Sequence, residues 1–307
     1  MTATEPILRP PCSAASVAAG ETPAATASRV EHWLLVEYAG YWPHDPLDAV
    51  VFAGSLREHL ARQLASLRNP RLFLVRRPSF RRDARVRIVY GATPERGAWF
   101  RQLDLDAHHD LLGLDLAAAL RGEAPAPGVP LPHPLLLVCT HGKRDACCAR
   151  FGRDLCTQLH RLAPDAWVWQ SSHVGGDRFA GNVVCLPEGL YYGRLDAEGA
   201  AAAFAEYAAG RIAPRGYRGR SCHSFPVQAA ELRVREETGL WGVHDVRVIR
   251  SRRDGEDRWT VDLLAEVAGD RYRVDVGVEL GAETYLTCKA AAPRRPRRFV
   301  ARACERV

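Results

Sequence analysis

Five of the nine cysteines fall between residues 134 and 195, in a stretch that also holds His141, His173 and Asp177. An apolar run, Leu135 to Val138, ends on Cys139. A polar turn, Thr140-His141-Gly142-Lys143-Arg144-Asp145, leads to the adjacent Cys147 and Cys148. A second apolar run, Trp167-Val168-Trp169, ends on Ser172-His173, and a glycine pair stands between His173 and Asp177. Thiolates and imidazoles suit soft and borderline metals, and a carboxylate adds a hard oxygen. Two thiolates, an imidazole and a carboxylate make a four-ligand set for a metal or a two-iron cluster. The gap from Cys139 to Cys148 is not a zinc-finger spacing, and the two close pairs of a zinc ribbon are missing. Spacing by itself therefore leaves metal binding, thiol redox chemistry and simple packing open.

The elements that must position these residues are legible on either side. Leu135–Cys139 reads as a buried strand, Cys147–Leu162 as an amphipathic helix stopped at Pro164, and Trp167–Gln170 as a second strand. Asp145 stands where an N-cap belongs, so the positive end of the helix would favour a thiolate at Cys147 or Cys148. Gly175-Gly176 lets the backbone curl closely around a bound group. A hairpin, Val183–Leu186 with Leu190–Leu195, and a helix over Ala197–Ala209 close the unit.

The same order precedes it. His32–Tyr38 reads as a strand, and Ser55 with Glu58 as a capping box opening a helix with Leu56, Leu60, Leu64 and Leu67 on one face. A strand at Leu72–Val75, a hairpin over Arg85–Tyr90 and Ala98–Leu103, and a helix over Asp110–Leu120 follow. Each half is β-α-β, then a β-hairpin and a helix, which is the thioredoxin-like arrangement. The predicted class is α/β: two thioredoxin-like units in tandem plus a small C-terminal α+β module. Residues 1–28, rich in Ala, Thr, Pro and Ser, read as a disordered tail. The units are then 29–121 and 135–213, divided by a proline-rich linker at 122–134. A second linker, Pro214–Ser221, leads to the module at 222–307. There Ser224 caps a helix ending at Gly239, and an alternating segment around Tyr272–Val278 belongs to an antiparallel sheet. Cys222, Cys288 and Cys304 look scattered, without chemistry.

The net charge of +6 comes largely from arginine, clustered at Arg76–Arg82 and Arg294–Arg298. Neither cluster is interleaved with aromatics on a nucleic-acid module, so both read as solvated faces. No apolar run is long enough to span a bilayer. An odd number of cysteines with no export signal indicates a reducing cytoplasm, where clustered cysteines serve metals or redox chemistry.

The string from Cys139 to Cys148, CTHGKRDACC, with Ser172-His-Val-Gly-Gly-Asp-Arg-Phe-Ala-Gly-Asn182, resembles the sucrase/ferredoxin-like family. The continuation Leu186-Pro-Glu-Gly-Leu-Tyr-Tyr-Gly-Arg-Leu195 and the helix from Ser224 also fit, so the resemblance runs from about residue 30 to the end. It implies a thioredoxin-like ferredoxin domain carrying a [2Fe–2S] cluster. In characterised eukaryotic relatives two cysteines and two histidines hold the cluster, the histidines in an H-x-G-G-H arrangement. By that resemblance Cys139, Cys148 and His173 fall on three ligand positions, and Asp177 stands where those relatives have the second histidine. A carboxylate there either binds ferric iron and lowers the potential, or pairs with an arginine such as Arg144 or Arg178. The sugar half of the family label finds no support, because no motif singles out a carboxylate pair set across a cleft.

The function expected is one-electron transfer to an unidentified redox partner protein, in preference to an enzymatic reaction. Rival readings are a cluster-free thiol redox protein using Cys147 or Cys148 with Cys139, a zinc site, and a non-catalytic scaffold. Cys156 and Cys185 read as core, Cys147 as a bystander or a reactive thiol, and Arg144-Asp145 equally as a structural ion pair or as a device that balances cluster charge.

Overall fold

The computed structural model describes residues 9–77 and 85–307; residues 78–82 of the arginine cluster lie outside them. Helix α1 (Cys12–Ala18) leads into strand β1 (His32–Glu37), followed by α2 (Ser55–Ala65), β2 (Pro70–Arg76), β3 (Val86–Ala92), β4 (Trp99–Leu105), α3 (Leu116–Arg121) and the short β5 (Val129–Pro130). The second half runs β6 (Leu135–Cys139), α4 (Ala146–Leu162), β7 (Val168–Ser171), β8 (Val183–Leu186), β9 (Leu190–Tyr192), α5 (Ala197–Ala208) and β10 (Tyr217–Arg220). Last come α6 (Phe225–Thr238), β11 (Val246–Arg253), β12 (Arg258–Ala265), β13 (Asp270–Leu280) and β14 (Arg297–Arg306).

β1 and β6 are apolar at consecutive positions because both of their faces are covered. Successive side chains point to opposite faces. Leu34 and Val36 therefore meet one core cluster with Leu56 and Leu60 of α2, while Leu136 and Val138 meet another with Leu155 and Leu159 of α4. Their alternates, Trp33, Leu35, Leu135, Leu137 and Cys139, all join a single shared cluster on the other face. There Trp33 stacks on Phe73 and also meets Tyr191 of the other half. The large sheet is curled, and this cluster fills the inside of the curl. Each fully buried aliphatic or aromatic side chain there stabilises the fold by about 1.5–3 kcal/mol.

The large sheet has ten strands in the order β10-β9-β8-β6-β7-β2-β1-β3-β4-β5. In each half the first strand pairs in parallel with the strand after its helix, and antiparallel with the first strand of the hairpin. The two halves meet edge to edge, with Val75 opposite Ser171 and Arg76 opposite Gln170, antiparallel. A second, four-stranded antiparallel sheet, β11-β12-β13-β14, packs on α6 through Val227, Ala230 and Val234. Among the described residues no helix is long and apolar enough to cross a membrane.

Several sequence expectations need correction. From residue 9 the expected tail is ordered: α1 forms, and Cys12, Ser16, Ala25 and Ala27 are buried. Its small residues fit under neighbouring segments, so the weakly hydrophobic composition does not prevent packing. The proline-rich linker does not separate two bodies, since β5 pairs with β4 at the sheet edge, the position a strand proline tolerates. The second linker is largely edge strand β10, with Arg218 and Arg220 buried. Ser55 is the first helical residue and not a cap; Gly54 is the N-cap and no side chain caps α2. The helix expected over 110–120 is a 3₁₀ turn, His108–Gly113, followed by α3, which Asp115 caps through Ala118 N. Strand β14 was hidden by its arginines.

Candidate metal centre

Two strand ends and one helix start converge. Cys139 closes β6, Cys148 lies in the first turn of α4, and His173 follows the end of β7. One ligand atom from each lies within 4.8 Å of the other two. Asp145 caps α4 by accepting from Cys147 N at 2.8 Å. The helix can come this close to the strand because residue 152 is glycine: a Cβ there would sit 1.9 Å from the Cys139 carbonyl oxygen.

Asp177 stands beside the three without joining them equally. Its Oδ1 lies 3.3 Å from Cys148 Sγ, which donates to it, and 3.0 Å from His173 Nδ1. That last pair is close but misaligned, and Nδ1 is left buried without a hydrogen bond. Neither arginine alternative for Asp177 is realised. Arg178 pairs with Glu21 at 2.7 Å, and Arg144 meets His44. The expected Arg144-Asp145 ion pair is also absent among the described contacts, because the Asp145 oxygens accept backbone N–H groups. The His173 N–H points to His141 Nδ1 at 3.3 Å, and the His141 Nε2 meets the Trp42 carbonyl at 3.2 Å.

The two thiols share a proton unequally. A hydrogen bond from Cys148, aided by His173, holds Cys139 well below the usual thiol range against the opposing cost of burial. Its single S–H, shared between Cys139 and Asp177, and its own burial push Cys148 up. Burial also raises Asp177 above the usual carboxylate range. Arg218 supplies a fixed cation nearby. It is fully buried, donating to Gly175 O at 2.9 Å, Asn182 Oδ1 at 2.8 Å and Thr26 O at 2.7 Å. Desolvation lowers its pKa to about 10, so it remains charged at neutral pH. It packs against the 175–176 turn, where a Cβ on Gly176 (φ +80°) would come 2.5 Å from its Nη2.

A second group of ligand atoms, not anticipated from the sequence, lies one residue away along α4. Cys12, Asp145, Cys147 and Cys288 also place one ligand atom each within 4.8 Å of one another. Hydrogen bonds from Cys12 and Ser13 hold the Cys147 thiol down at about 5, although burial opposes this. Cys147 and Cys288 thus stand among other possible ligands, and Cys288 is not isolated. Cys12 sits in an Ala- and Pro-rich segment, Cys288 in a loop between strands, and Arg218 in an apparent linker. No spacing in the sequence connects them, so no signal there could have found the group.

A family model described as sucrase/ferredoxin-like matches residues 23–219, well over half of the chain. No curated protein and no solved structure matches.

Proposed function

This chain belongs to the sucrase/ferredoxin-like family, and on that premise we propose that it is an electron carrier holding a [2Fe–2S] cluster on Cys139, Cys148, His173 and Asp177. The observation that carries the reading is the buried convergence of Cys139, Cys148 and His173 within 4.8 Å, reached from three separate elements. The donor chemistry fits: two thiols, one already favoured as thiolate, and a His173 nitrogen buried without a hydrogen bond. Asp177 completes the set as a carboxylate, which suits ferric iron and would lower the potential relative to a second imidazole. When bound, such a cluster would supply a one-electron couple. We also read the two halves of the sheet as thioredoxin-like units, of which the second keeps the ligands.

The chain's own residues would set the conditions for that couple. The N-terminus of α4 and the buried Arg218 offset the negative charge of the thiolates. The inner core around Trp169, Val174 and Val184 excludes water from Cys139 and Cys148. His173 reaches a depression of about 260 Å³ that is also lined by His141, Arg144, Arg71 and His44. That basic rim is where a redox partner protein with an acidic face would dock. Thiol–disulfide exchange fits less well, because it requires an accessible thiolate and Cys139 and Cys148 are 1% and 0% exposed.

The test is anaerobic purification, a visible spectrum, and iron and acid-labile sulfide assayed on one sample. A brown protein with about two irons and two sulfides per chain is expected. Cys139→Ser should abolish the colour, and Asp177→His should keep it with a raised potential. A protein that stays colourless after reconstitution with iron and sulfide would overturn the reading.

A further inference from the structure

We propose that Cys12, Cys147, Cys288 and Asp145 form a second, structural site for one thiophilic divalent cation of the zinc class. It would tie the N-terminal helix and a C-terminal loop to the start of α4.

The geometry is that of a closed four-ligand site. Cys147 Sγ lies 3.4 Å from Cys288 Sγ, and Cys288 Sγ lies 3.5 Å from Cys12 Sγ. The Asp145 oxygens lie 3.6 and 3.7 Å from Cys12 Sγ. With zinc–sulfur bonds of about 2.3 Å, two sulfurs of one tetrahedron stand about 3.8 Å apart, close to these edges. The same spacing is far from a disulfide, whose sulfurs are about 2.05 Å apart, and three mutually close sulfurs cannot all pair. Three thiolates with an oxygen donor suit zinc, while magnesium and calcium prefer all-oxygen shells.

The surroundings are built for such a charge. Cys288 N donates to Asp145 Oδ2 at 2.6 Å and Cys147 N to Oδ1 at 2.8 Å, fixing the carboxylate and leaving it lone pairs for a cation. Cys12 N approaches Cys288 Sγ at 3.5 Å, and Ser13 Oγ lies 3.2 Å from Cys147 Sγ. Cys12 and Cys147 are buried, so a cation held between them would be shielded from solvent. The segments that meet here are also tied by Arg9, which donates to Thr287 O at 3.1 Å and to Ala290 O, and by Arg194, which donates to Ser16 Oγ at 2.8 Å. Within the loop that joins the paired strands β13 and β14, Thr284 and Arg294 form an isolated bridge, and α1 has no side-chain cap. Arg9 also lies 3.6 Å from the centre of the Tyr285 ring. Cys12 and Cys288 both lie outside residues 23–219, so the matched family region does not supply this site.

The proposal is independent of the cluster, and the experiment keeps the two apart. Zinc, iron and sulfide are measured on the same full-length protein, purified without chelator. About one zinc per chain is expected. It should be lost in Cys12→Ser and in Cys288→Ser and retained in Cys139→Ser. Cobalt(II) added to metal-free Cys139→Ser protein should give the intense visible bands of a tetrahedral thiolate site, absent when Cys288→Ser is added. Since Cys12→Ser could fail to fold, the loop variant Cys288→Ser, whose side chain is only half-buried, decides on its own. Zinc retained by Cys288→Ser, no zinc or cobalt taken up by the protein with all three cysteines intact, or a disulfide among these cysteines after non-reducing alkylation would each overturn the proposal.

Discussion

The ends of the two parallel strand pairs hold different chemistry in the same place. In the first half Glu37 closes β1 opposite Val75, and Arg77, two residues further on, returns to it with two hydrogen bonds of 2.6 and 2.7 Å. In the second half Cys139 closes β6 opposite Ser171, and His173, again two residues further on, comes within ligand distance. One half fills the position with an ion pair that satisfies itself. The other leaves a thiolate and an unpaired imidazole nitrogen. The helix differs as well. Residues 38–54 carry the chain away from β1 before the uncapped α2 begins, whereas only 140–145 separate β6 from the capped α4. The same strand pairing therefore offers a site only where a short turn returns the helix N-terminus to the strand end.

The contrast can be broken most severely from the closed side. Arg77→Ala leaves Glu37 buried without its partner, and the expected loss of stability by urea unfolding is about 3–5 kcal/mol. The pair's side chains are only 15% and 0% exposed, so solvent screening relieves little of this. A loss below about 1 kcal/mol would show that the pair behaves as a surface bridge and that the first half is not closed.

The pH at which such unfolding is measured matters, because a buried histidine outside both halves also titrates. Burial lowers His223 to about 4, with Glu231 at 3.7 Å and Glu95 at 3.9 Å only partly compensating. Arg220, Arg235 and Arg29 nearby oppose its charging. The unfolded chain then binds a proton that the folded chain refuses. Stability from this group is full above pH ~6.5 and is lost as pH falls towards 4, by about 3 kcal/mol at most. His223→Gln should flatten stability across that interval, and an unchanged slope would assign the acid sensitivity elsewhere.

On the open side, Gly152→Ala forces α4 away from the Cys139 carbonyl. A cost of about 1–3 kcal/mol is expected, together with weaker metal uptake at Cys139 and Cys148. Gly113→Ala, where the added carbon meets nothing within 4 Å, serves as the control. Metal uptake unchanged in Gly152→Ala would mean that close approach of the helix is not what builds the centre.

The smallest effects test the helix starts. On metal-free protein, where the proposed ligand role of Asp145 does not enter, Asp145→Ala removes a working cap and should cost at least about 0.5–2 kcal/mol, while Ser55→Ala should stay within about 0.5 kcal/mol. Equal costs at the two positions would remove the distinction drawn between α4 and α2.

Much of this was legible in the chain. Leu135–Cys139 and Val183–Leu186 form strands with the expected bounds, and Asp145 caps α4 as its position before Cys147 implied. Cys139, the Cys147-Cys148 pair and His173 stand out because they lie at the ends of elements whose periodicity is clear, while the choice of Cys148 and of Asp177 as ligands is what the family resemblance implies. The signals failed where local composition and tertiary burial disagree. Arg218 and Arg220 look solvent-exposed, yet both are buried, Arg218 against backbone carbonyls and the Asn182 side chain of the other turn. The Ala-rich segment around Cys12 looks disordered, yet it packs on Cys147 and Ala180.

The sequence by itself determined the continuous apolar runs that bury β1 and β6 on both faces, the Asp145 cap of α4, and the ligand types that cluster between residues 134 and 195. Those are properties of neighbours along the chain, where periodicity and propensity act. Tertiary structure alone decided that the two halves share one curled sheet, that Arg218 braces the glycine turn, and that Cys12 and Cys288 meet at Cys147. These contacts join residues from 43 to more than a hundred positions apart, or edges whose pairing no local pattern specifies. Their free energy comes from burial and charge compensation that exist only once the chain has closed on itself.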